Sequence, residues 1–188
     1  MIRNRDEPPP HRRLPPLLLR PPVATDGRAV HALVASCQPL DPNSLYCNLL
    51  QCSHFAPTCC IAELHGRAVG FVSGYLHPQN PDVLFIWQVA VAAEARGRGL
   101  GRQMLHELIA RPACARVTTM HTTITPSNRA SWALFDSFAR DLGAPLRSSE
   151  YFDRVAHLDG RHETEMLVAI GPFADRDMRS TARTRRTA

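Results

Sequence analysis

The amino-acid sequence predicts one α/β domain built around a mixed β-sheet, and three observations lead to this class. The length of 188 residues fits a single hydrophobic core. Apolar residues make up 44% of the chain, as in globular proteins, and none of their runs is long enough to cross a bilayer. Strand-like and helix-like segments alternate in the second half, as in β-α-β-α folds with mixed sheets.

The first segments predict a strand followed by two helices. Residues 17–19 are apolar and predict a short strand. Thr25 and Asp26 then offer a cap for a helix with an apolar stripe at Val30, Leu33 and Val34. Residues 40–44 predict a loop that ends in a helix cap, and a second helical stripe follows at Leu45, Leu49 and Leu50.

A hairpin and a central strand occupy the middle of the chain. Residues 58–64 and 68–75 predict the two strands of the hairpin, and Gly66 marks the turn between them. Residues 83–91 are almost continuously apolar and rich in β-branched and aromatic side chains. This pattern predicts a strand buried on both faces, which we expect at the centre of the sheet.

The second half of the chain continues with alternating helices and strands. A glycine-rich turn at residues 96–101 opens a helix, and residues 117–124 predict the next strand. A further helix begins near Ser127, with bulky side chains at Trp132, Leu134, Phe135 and Phe138. Residues 143–161 predict an irregular stretch, and residues 165–170 predict the last strand.

The formal net charge of +5 lies in the two ends of the chain. Residues 1–13 carry +2 and residues 174–188 carry +3, whereas residues 14–173 contain 13 arginines and 13 acidic residues. We therefore predict a neutral folded domain at 14–173 between disordered arginine-rich extensions at 1–13 and 174–188. A neutral domain offers no basic face for nucleic acid.

The cysteines and the N-terminal residues predict a cytoplasmic protein. Residues 1–13 contain arginines and prolines but no apolar stretch of the kind found in secretory signals. The six cysteines form no CxxC pair and no zinc-type spacing with histidine. We therefore predict neither disulfides nor a metal site, and we interpret the cysteines as small apolar residues.

A strand that runs through a glycine-rich turn into a helix is the motif that carries chemistry. The turn reads Arg96-Gly97-Arg98-Gly99-Leu100-Gly101-Arg102. Amide hydrogens converge at such a helix start, glycine lets a phosphate approach closely, and the helix dipole adds positive charge. The turn therefore predicts a pyrophosphate site held mainly by backbone amides, with charge from Arg96, Arg98 or Arg102. The alternative is that the glycines only relieve strain; the spacing fits neither a Walker nor a GxGxxG loop.

The turn matches Arg-x-x-Gly-x-Gly and resembles the coenzyme A signature of the GNAT N-acetyltransferase superfamily. Asn128-Arg129-Ala130-Ser131-Trp132-Ala133-Leu134-Phe135 is similar to the later helix of that superfamily. The resemblance implies the GNAT fold, an α/β (α+β) architecture with a mostly antiparallel mixed sheet flanked by helices, and acetyl-CoA as cosubstrate. It also implies that Val89 and Val91 offer backbone groups to the acetyl and pantetheine portions and that Asn128 contacts pantetheine. A helix cap is the alternative role for Asn128.

The same resemblance implies direct attack of a bound amine on the thioester, with a strand amide stabilising the oxyanion. The superfamily often places a tyrosine after the Leu-Phe pair as the acid for the thiolate, but Asp136 stands there in this chain. The acid therefore stays open, with Tyr46 and Tyr151 as distant candidates.

Further segments are similar to the L-2,4-diaminobutyrate acetyltransferases of ectoine synthesis, over roughly residues 17–173. Among them are Leu40-Asp41-Pro42-Asn43-Ser44-Leu45-Tyr46, Phe85-Ile86-Trp87-Gln88-Val89-Ala90-Val91 and His162-Glu163-Thr164-Glu165. This resemblance implies acetylation of the γ-amine of L-2,4-diaminobutyrate by a homodimer, in the synthesis of an osmoprotective solute. The neutral domain and the short apolar runs predict that no nucleic acid or membrane partner is needed. The resemblance places the substrate among Asp41, Tyr46, Trp87, His162 and Glu165.

The chemistry of a diamino acid agrees with these residue types. A selective site needs carboxylates and hydrogen-bonding groups at fixed positions, and Asp41, His162 and Glu165 are suitable. An aliphatic ammonium has a pKa of about 10, so the attacking nitrogen must lose a proton, and Glu165 or His162 could accept it. The structural alternatives are a core aromatic for Trp87, a surface residue for His162 and a helix cap for Asp41. There are two alternative functions: acetylation of another small amine, and non-enzymatic sensing of acyl-CoA.

Overall fold

A computed structural model describes residues 17–173, in which seven strands form one sheet accompanied by four helices. The strands are β1 (Leu18–Arg20), β2 (Cys60–Leu64), β3 (Arg67–His77), β4 (Asn80–Val91), β5 (Thr119–Ile124), β6 (Leu146–Phe152) and β7 (Glu165–Ile170). The helices are α1 (Gly27–Ser36), α2 (Leu45–Gln51), α3 (Leu100–Ile109) and α4 (Arg129–Leu142). The extensions predicted at 1–13 and 174–188 lie outside the described residues. No helix within residues 17–173 is long and apolar enough to cross a membrane.

The sheet has the order β1-β2-β3-β4-β5-β7-β6, which confirms the central position predicted for β4. The β4–β5 pair is parallel and the other five pairs are antiparallel, so the expected mixed and mostly antiparallel sheet is confirmed. The β2–β3 hairpin turns at His65 and Gly66, with φ values of +54° and +72°. Turns of this kind need a left-handed backbone, which glycine adopts without strain.

The core lies between the sheet and the apolar stripes of the helices. Met104 of α3 lies against Gly70 of β3, where an added Cβ would come within 2.9 Å of its methyl carbon. Because side chains alternate along a strand, Tyr75 of β3 belongs to the opposite face of the sheet. The largest fully buried side chains include Phe71, Leu84, Ile86, Met104, Leu105, Leu108, Met120 and Phe138.

Strand β4 has an irregularity at Trp87 and separates from β5 at the same level. Trp87 has no Cα partner in β3, because the register moves from Gln88 to Ile86 over one step of β3. The parallel pairing with β5 ends at Ile86, opposite Thr122. Residues 87–91 therefore border an opening between the two central strands. A bulge of this kind bends a strand and redirects its side chains.

Two expectations about strands are wrong. Residues 146–152 form strand β6 inside the stretch that we predicted to be irregular. This strand is almost wholly exposed and reads Leu-Arg-Ser-Ser-Glu-Tyr-Phe, so no apolar alternation announces it, and pairing with β7 provides its partner. Strand β4 is not buried on both faces, because Trp87 is 47% exposed.

The caps of the first two helices differ from each other. Ser44 caps α2, since its Oγ accepts a hydrogen bond from the amide of Cys47 at 3.1 Å, and this confirms the predicted loop and cap. Asp41 is therefore not the cap. Asp26 stands at the N-cap position of α1 but forms no cap hydrogen bond, because its carboxylate accepts two hydrogen bonds from Arg20 at 2.7 and 2.9 Å.

Candidate active site

A cleft of about 350 Å³ opens between β4, the start of α3 and the start of α4, and we call it the β4–α3 cleft. Nine of the ten residues predicted to bind the cofactor line it, namely Val89, Val91, Arg96, Gly97, Gly99, Leu100, Gly101, Arg102 and Asn128. Arg98 is exposed and is not part of the lining. Residues 37–40, between α1 and α2, complete the wall, and the sequence interpretation missed them.

The free edge of β4 directs backbone groups into this cleft. The amide of Ala92 donates to a carbonyl of β3 at 2.9 Å, so the backbone groups of Ala92 point toward β3. Successive residues of a strand alternate in this direction, so those of Val89 and Val91 point to the other edge, where β5 has separated. The carbonyl of Val91 accordingly accepts hydrogen bonds from Cys37 Sγ at 3.4 Å and Arg96 Nε at 3.0 Å.

The start of α3 provides a group of unpaired amide hydrogens. The amide of Gln103 donates to the carbonyl of Gly99 at 3.0 Å, as the first hydrogen bond of the helix. The amides of residues 100–102 therefore have no partner inside the helix, and the helix dipole makes their surroundings positive. Such a helix start binds phosphate groups readily.

Glycine stands at the three positions of the turn for different structural reasons. Gly97 and Gly99 have φ values of +74° and +70°, in the left-handed region where other residues are strained. Gly101 lies close to α4 and β4, since an added Cβ would stand 3.3 Å from a methyl carbon of Leu134 and 3.5 Å from Val89. Relief of strain and close packing therefore both hold, and they leave open space in front of Gly97 and Gly99.

Two of the three candidate arginines are already engaged with the protein. Arg96 binds the carbonyl of Val91, as described above. Arg102 donates from Nη1 to Ser137 Oγ at 3.0 Å, and its Nε lies 3.3 Å from a carboxylate oxygen of Asp141. The hydrogen bond from His106, together with the charge of Arg102, holds the pKa of Asp141 below its usual value. Arg102 therefore joins α3 to α4 as well as lining the cleft.

Asn128 caps α4 and also lines the β4–α3 cleft. Its Oδ1 accepts a hydrogen bond from the amide of Ser131 at 3.1 Å. The two tyrosines that we weighed as acids lie elsewhere. Tyr46 is 70% exposed on α2, and Tyr151 lies on β6; neither lines the cleft.

The part of the chain that forms this cleft matches a known protein family. Residues 28–139, which include β4, the glycine-rich turn and the start of α4, match the acetyltransferase (GNAT) family. The chain belongs to the GNAT acetyltransferase family. All residues that line the β4–α3 cleft lie within this match.

Individual members of this family are similar to this chain over most of its length. The L-2,4-diaminobutyric acid acetyltransferase of Methylotuvimicrobium alcaliphilum is 52% identical over 160 residues, which cover 85% of this chain and 93% of that relative. The enzyme of the same name from Halomonas elongata is 48% identical over 159 residues, 84% of this chain and 82% of that relative. A solved structure is 40% identical with a TM-score of 0.81 and covers 85% of this chain and 97% of that chain. It is the diaminobutyrate acetyltransferase EctA from Paenibacillus lautus in complex with its substrate L-2,4-diaminobutyric acid and coenzyme A.

A second cavity of about 490 Å³, which we call the aromatic pocket, lies on the sheet face that carries Tyr75. It is lined by Tyr75, His77, Phe85, Trp87, His121, Thr123, Tyr151, Phe152 and Leu167. Trp87 lines the aromatic pocket and also borders the opening between β4 and β5. Its indole is a pocket wall and not a core aromatic.

The other four residues predicted to bind the amine lie on four different segments. Asp41 is exposed in the loop before α2, and its carbonyl accepts a hydrogen bond from Gln88 Nε2, next to Trp87. Glu165 is half-buried at the first position of β7, where it pairs with Phe152 of the aromatic pocket. Tyr46 on α2 and His162 in the loop before β7 are exposed.

The sequence interpretation missed Gln88 and His121 as residues around the site. Gln88 is the one polar side chain in the apolar run 83–91, which was an available signal, and it is only 8% exposed. Burial lowers the pKa of His121, with a contribution from His77, and burial also raises the pKa of Tyr75. Both groups are therefore held in their neutral forms in the aromatic pocket.

The cysteines agree with their interpretation as small apolar residues. All six are free thiols, and five of them are buried. Burial raises the pKa of Cys52 and Cys60 to about 11 and that of Cys59 to about 12. These thiols are protonated at neutral pH and are poor nucleophiles. Among residues 17–173, no cluster of three or more His, Cys, Asp or Glu side chains could hold a metal ion.

Proposed function

We propose that this chain transfers the acetyl group of acetyl-CoA to the γ-amine of L-2,4-diaminobutyrate, the N4-acetylation step of ectoine biosynthesis. One observation carries the proposal: the free edge of β4 and the unpaired amides of residues 100–102 meet in one cleft. The names of the relatives at 52% and 48% identity support the choice of the amine.

The cofactor side follows from the backbone of the cleft. The pyrophosphate would bind the amides of residues 100–102, in the open space before Gly97 and Gly99. Pantetheine would pair with the edge of β4 at Val89 and Val91 as an additional strand does, and it would pass Asn128 at the start of α4. This arrangement would bring the thioester to the level of Trp87, where β4 and β5 separate.

The reaction would be a direct transfer. The neutral amine nitrogen attacks the thioester carbonyl carbon, and an amide of β4 stabilises the oxygen of the tetrahedral intermediate. The C–S bond then breaks, so the nitrogen carries the acetyl group and coenzyme A leaves as a thiolate. A base takes the proton of the amine, and an acid protonates the thiolate. Glu165 and His162 are the candidates for the base, and the acid stays open.

The amine side would use Asp41, Glu165 and Trp87 to bind and orient the substrate. Carboxylates pair with ammonium groups, and the face of an indole attracts a cation. Glu165 would act mainly by orientation, because a carboxylate also stabilises the charged ammonium that cannot attack. Tyr46 and His162 would complete the site from α2 and from the loop before β7.

The deciding experiment is a thiol-release assay with acetyl-CoA and a panel of amines, followed by NMR of the product. We expect turnover with L-2,4-diaminobutyrate to exceed that with polyamines and other amino acids, and the new amide to lie on N4. Faster turnover of another amine would show that this amine, and not L-2,4-diaminobutyrate, is the substrate. If coenzyme A binds but no amine causes thiol release from acetyl-CoA, the acyl-CoA sensor is favoured. Asp136, which stands in place of a tyrosine, is consistent with this alternative.

We also propose that the enzyme acts in the cytoplasm, as a homodimer, in osmoprotection. Light scattering of the full chain would give the mass of the assembly. A mass of 20.9 kDa would refute the dimer.

A further inference from the structure

Gln88 is a buried polar side chain next to the proposed amine site. It follows Trp87 on β4 and is 8% exposed. Its backbone amide donates a hydrogen bond to Ser73 Oγ at 3.2 Å. A carboxamide in such a position is strongly disfavoured unless its donor and its acceptor are both paired. The partners of this side chain therefore explain why a polar residue stands there.

Both ends of the Gln88 side chain bind one loop. Nε2 donates to the carbonyl of Asp41 at 2.8 Å, and Oε1 accepts from Asn43 Nδ2 at 2.7 Å. A carbonyl can only accept, so the contact with Asp41 fixes the orientation of the Gln88 amide, and the contact with Asn43 agrees with it. Within residues 17–173, the side-chain hydrogen bonds that join residues 41–43 to the sheet both go to Gln88.

The segments on either side of this loop have anchors of their own. Cys37, before the loop, donates from Sγ to the carbonyl of Val91, and Leu40 packs against the core. Ser44, after the loop, caps α2. Loss of the Gln88 contacts would therefore free residues 41–43 while leaving the cofactor cleft and α2 in place.

We propose that Gln88 is a positioning residue for the amine: its carboxamide holds residues 41–43 so that the carboxylate of Asp41 stays fixed relative to Trp87 and the opening beside β4. This inference rests on the proposed function, because it needs Asp41 as a ligand of the amine. Gln88 itself contacts the loop and not the substrate.

The test is Gln88→Met, which keeps the length of the side chain and removes both hydrogen bonds. We expect the KM for L-2,4-diaminobutyrate to rise about tenfold, as for the loss of one well-placed hydrogen bond, and the KM for acetyl-CoA to stay within about twofold. Hydrogen exchange at residues 41 and 43, measured without substrate, should become faster, and exchange in α2 should stay unchanged. Gln88→Glu should not restore function, because its second carboxylate oxygen faces the carbonyl of Asp41.

Gln51→Met is the matched control. Gln51 is also a buried glutamine, 2% exposed, and its Oε1 accepts from Asn48 Nδ2 within α2. We expect this variant to keep both KM values. If Gln88→Met does not fold, Asn43→Ala removes one of the two contacts from a half-buried loop position and should raise the amine KM less. A double variant that folds should have the same amine KM as Gln88→Met alone, because Asn43→Ala removes a hydrogen bond that Gln88→Met has already removed.

An amine KM that stays within twofold in Gln88→Met and Asn43→Ala, or an equal rise in both KM values, would overturn the inference. If the wild-type protein does not acetylate diaminobutyrate, the proposed function fails instead. Hydrogen exchange then still tests the contact between Gln88 and the loop. Faster exchange at residues 41 and 43 in Gln88→Met but not in Gln51→Met supports this contact, and equal exchange in the two variants refutes it.

Discussion

Replacing Gly99 with alanine tests the anion site at the start of α3, because the structure separates the cost in folding from the cost in binding. Gly99 has φ +70° and ψ +17°, and a side chain in this left-handed conformation costs about 1–2 kcal/mol. The added Cβ would meet only the end of Arg102, at 4.0 Å, so no packing clash adds to this cost. For a chain of this size we expect a fall in Tm of about 2–8 °C.

The same methyl group would stand in the open space where we place the pyrophosphate. Loss of one hydrogen bond to a charged group costs about 1.5–3 kcal/mol, which corresponds to binding that is roughly 10- to 150-fold weaker. Isothermal titration calorimetry with desulfo-CoA measures this change directly.

Gly66→Ala is the matched control for this variant. Gly66 has φ +72°, and an added Cβ would meet nothing within 4 Å, but it lies in the β2–β3 turn. We expect a similar loss of stability and unchanged binding of desulfo-CoA. If Gly99→Ala binds desulfo-CoA as tightly as Gly66→Ala does, the start of α3 is not the pyrophosphate site.

Three further variants test the amine site, the exposure of Trp87 and the charge pair at α1. Glu165→Gln should raise the KM for diaminobutyrate or lower kcat/KM about tenfold or more while desulfo-CoA binding stays the same; unchanged amine kinetics would remove Glu165 from the site. Trp87→Ala should lower the free energy of unfolding in urea by less than about 2 kcal/mol, because a half-exposed indole buries less area than a core residue, whose loss costs about 3–5 kcal/mol. A loss in that larger range would contradict the exposed position. The hydrogen bond from Arg20 lowers the pKa of Asp26 below 3.8, so the Asp26 carboxylate stabilises the fold at neutral pH, and this contribution disappears as the pH falls through the lowered pKa. Asp26→Asn should therefore be less stable than wild type by about 1–3 kcal/mol at pH 7, with a difference that narrows toward pH 3 in urea titrations; a constant difference would refute the linkage.

The elements with clear apolar patterns could be predicted from the sequence. The β-branched run of β4, the stripe of α3 and the last strand were found because burial selects side chains at a regular period. Strand β6 could not be found in this way. It is exposed and polar, so its extended conformation depends on hydrogen bonds to β7, which is separated from it by the loop at residues 153–164.

The β4–α3 cleft was predictable for a related reason. Much of its lining comes from one continuous segment, so the spacing of Gly97, Gly99 and Gly101 was enough to locate it. The proposed amine side combines residues from a loop, β4 and β7, and its geometry depends on contacts over long sequence distances. The Gln88 contacts, for example, join positions 45 and 47 residues apart.

The amino-acid sequence by itself determined the glycine-rich turn, the strand before it, the helix after it and the family to which they belong, because these are local and depend on short-range sterics and periodic burial. Only the tertiary structure decided that β4 parts from β5 at Ile86, that Trp87 is half-exposed and that Gln88 holds the loop of Asp41. Strand separation and loop attachment depend on which distant segments fill the available hydrogen bonds, and a one-dimensional pattern does not contain that information.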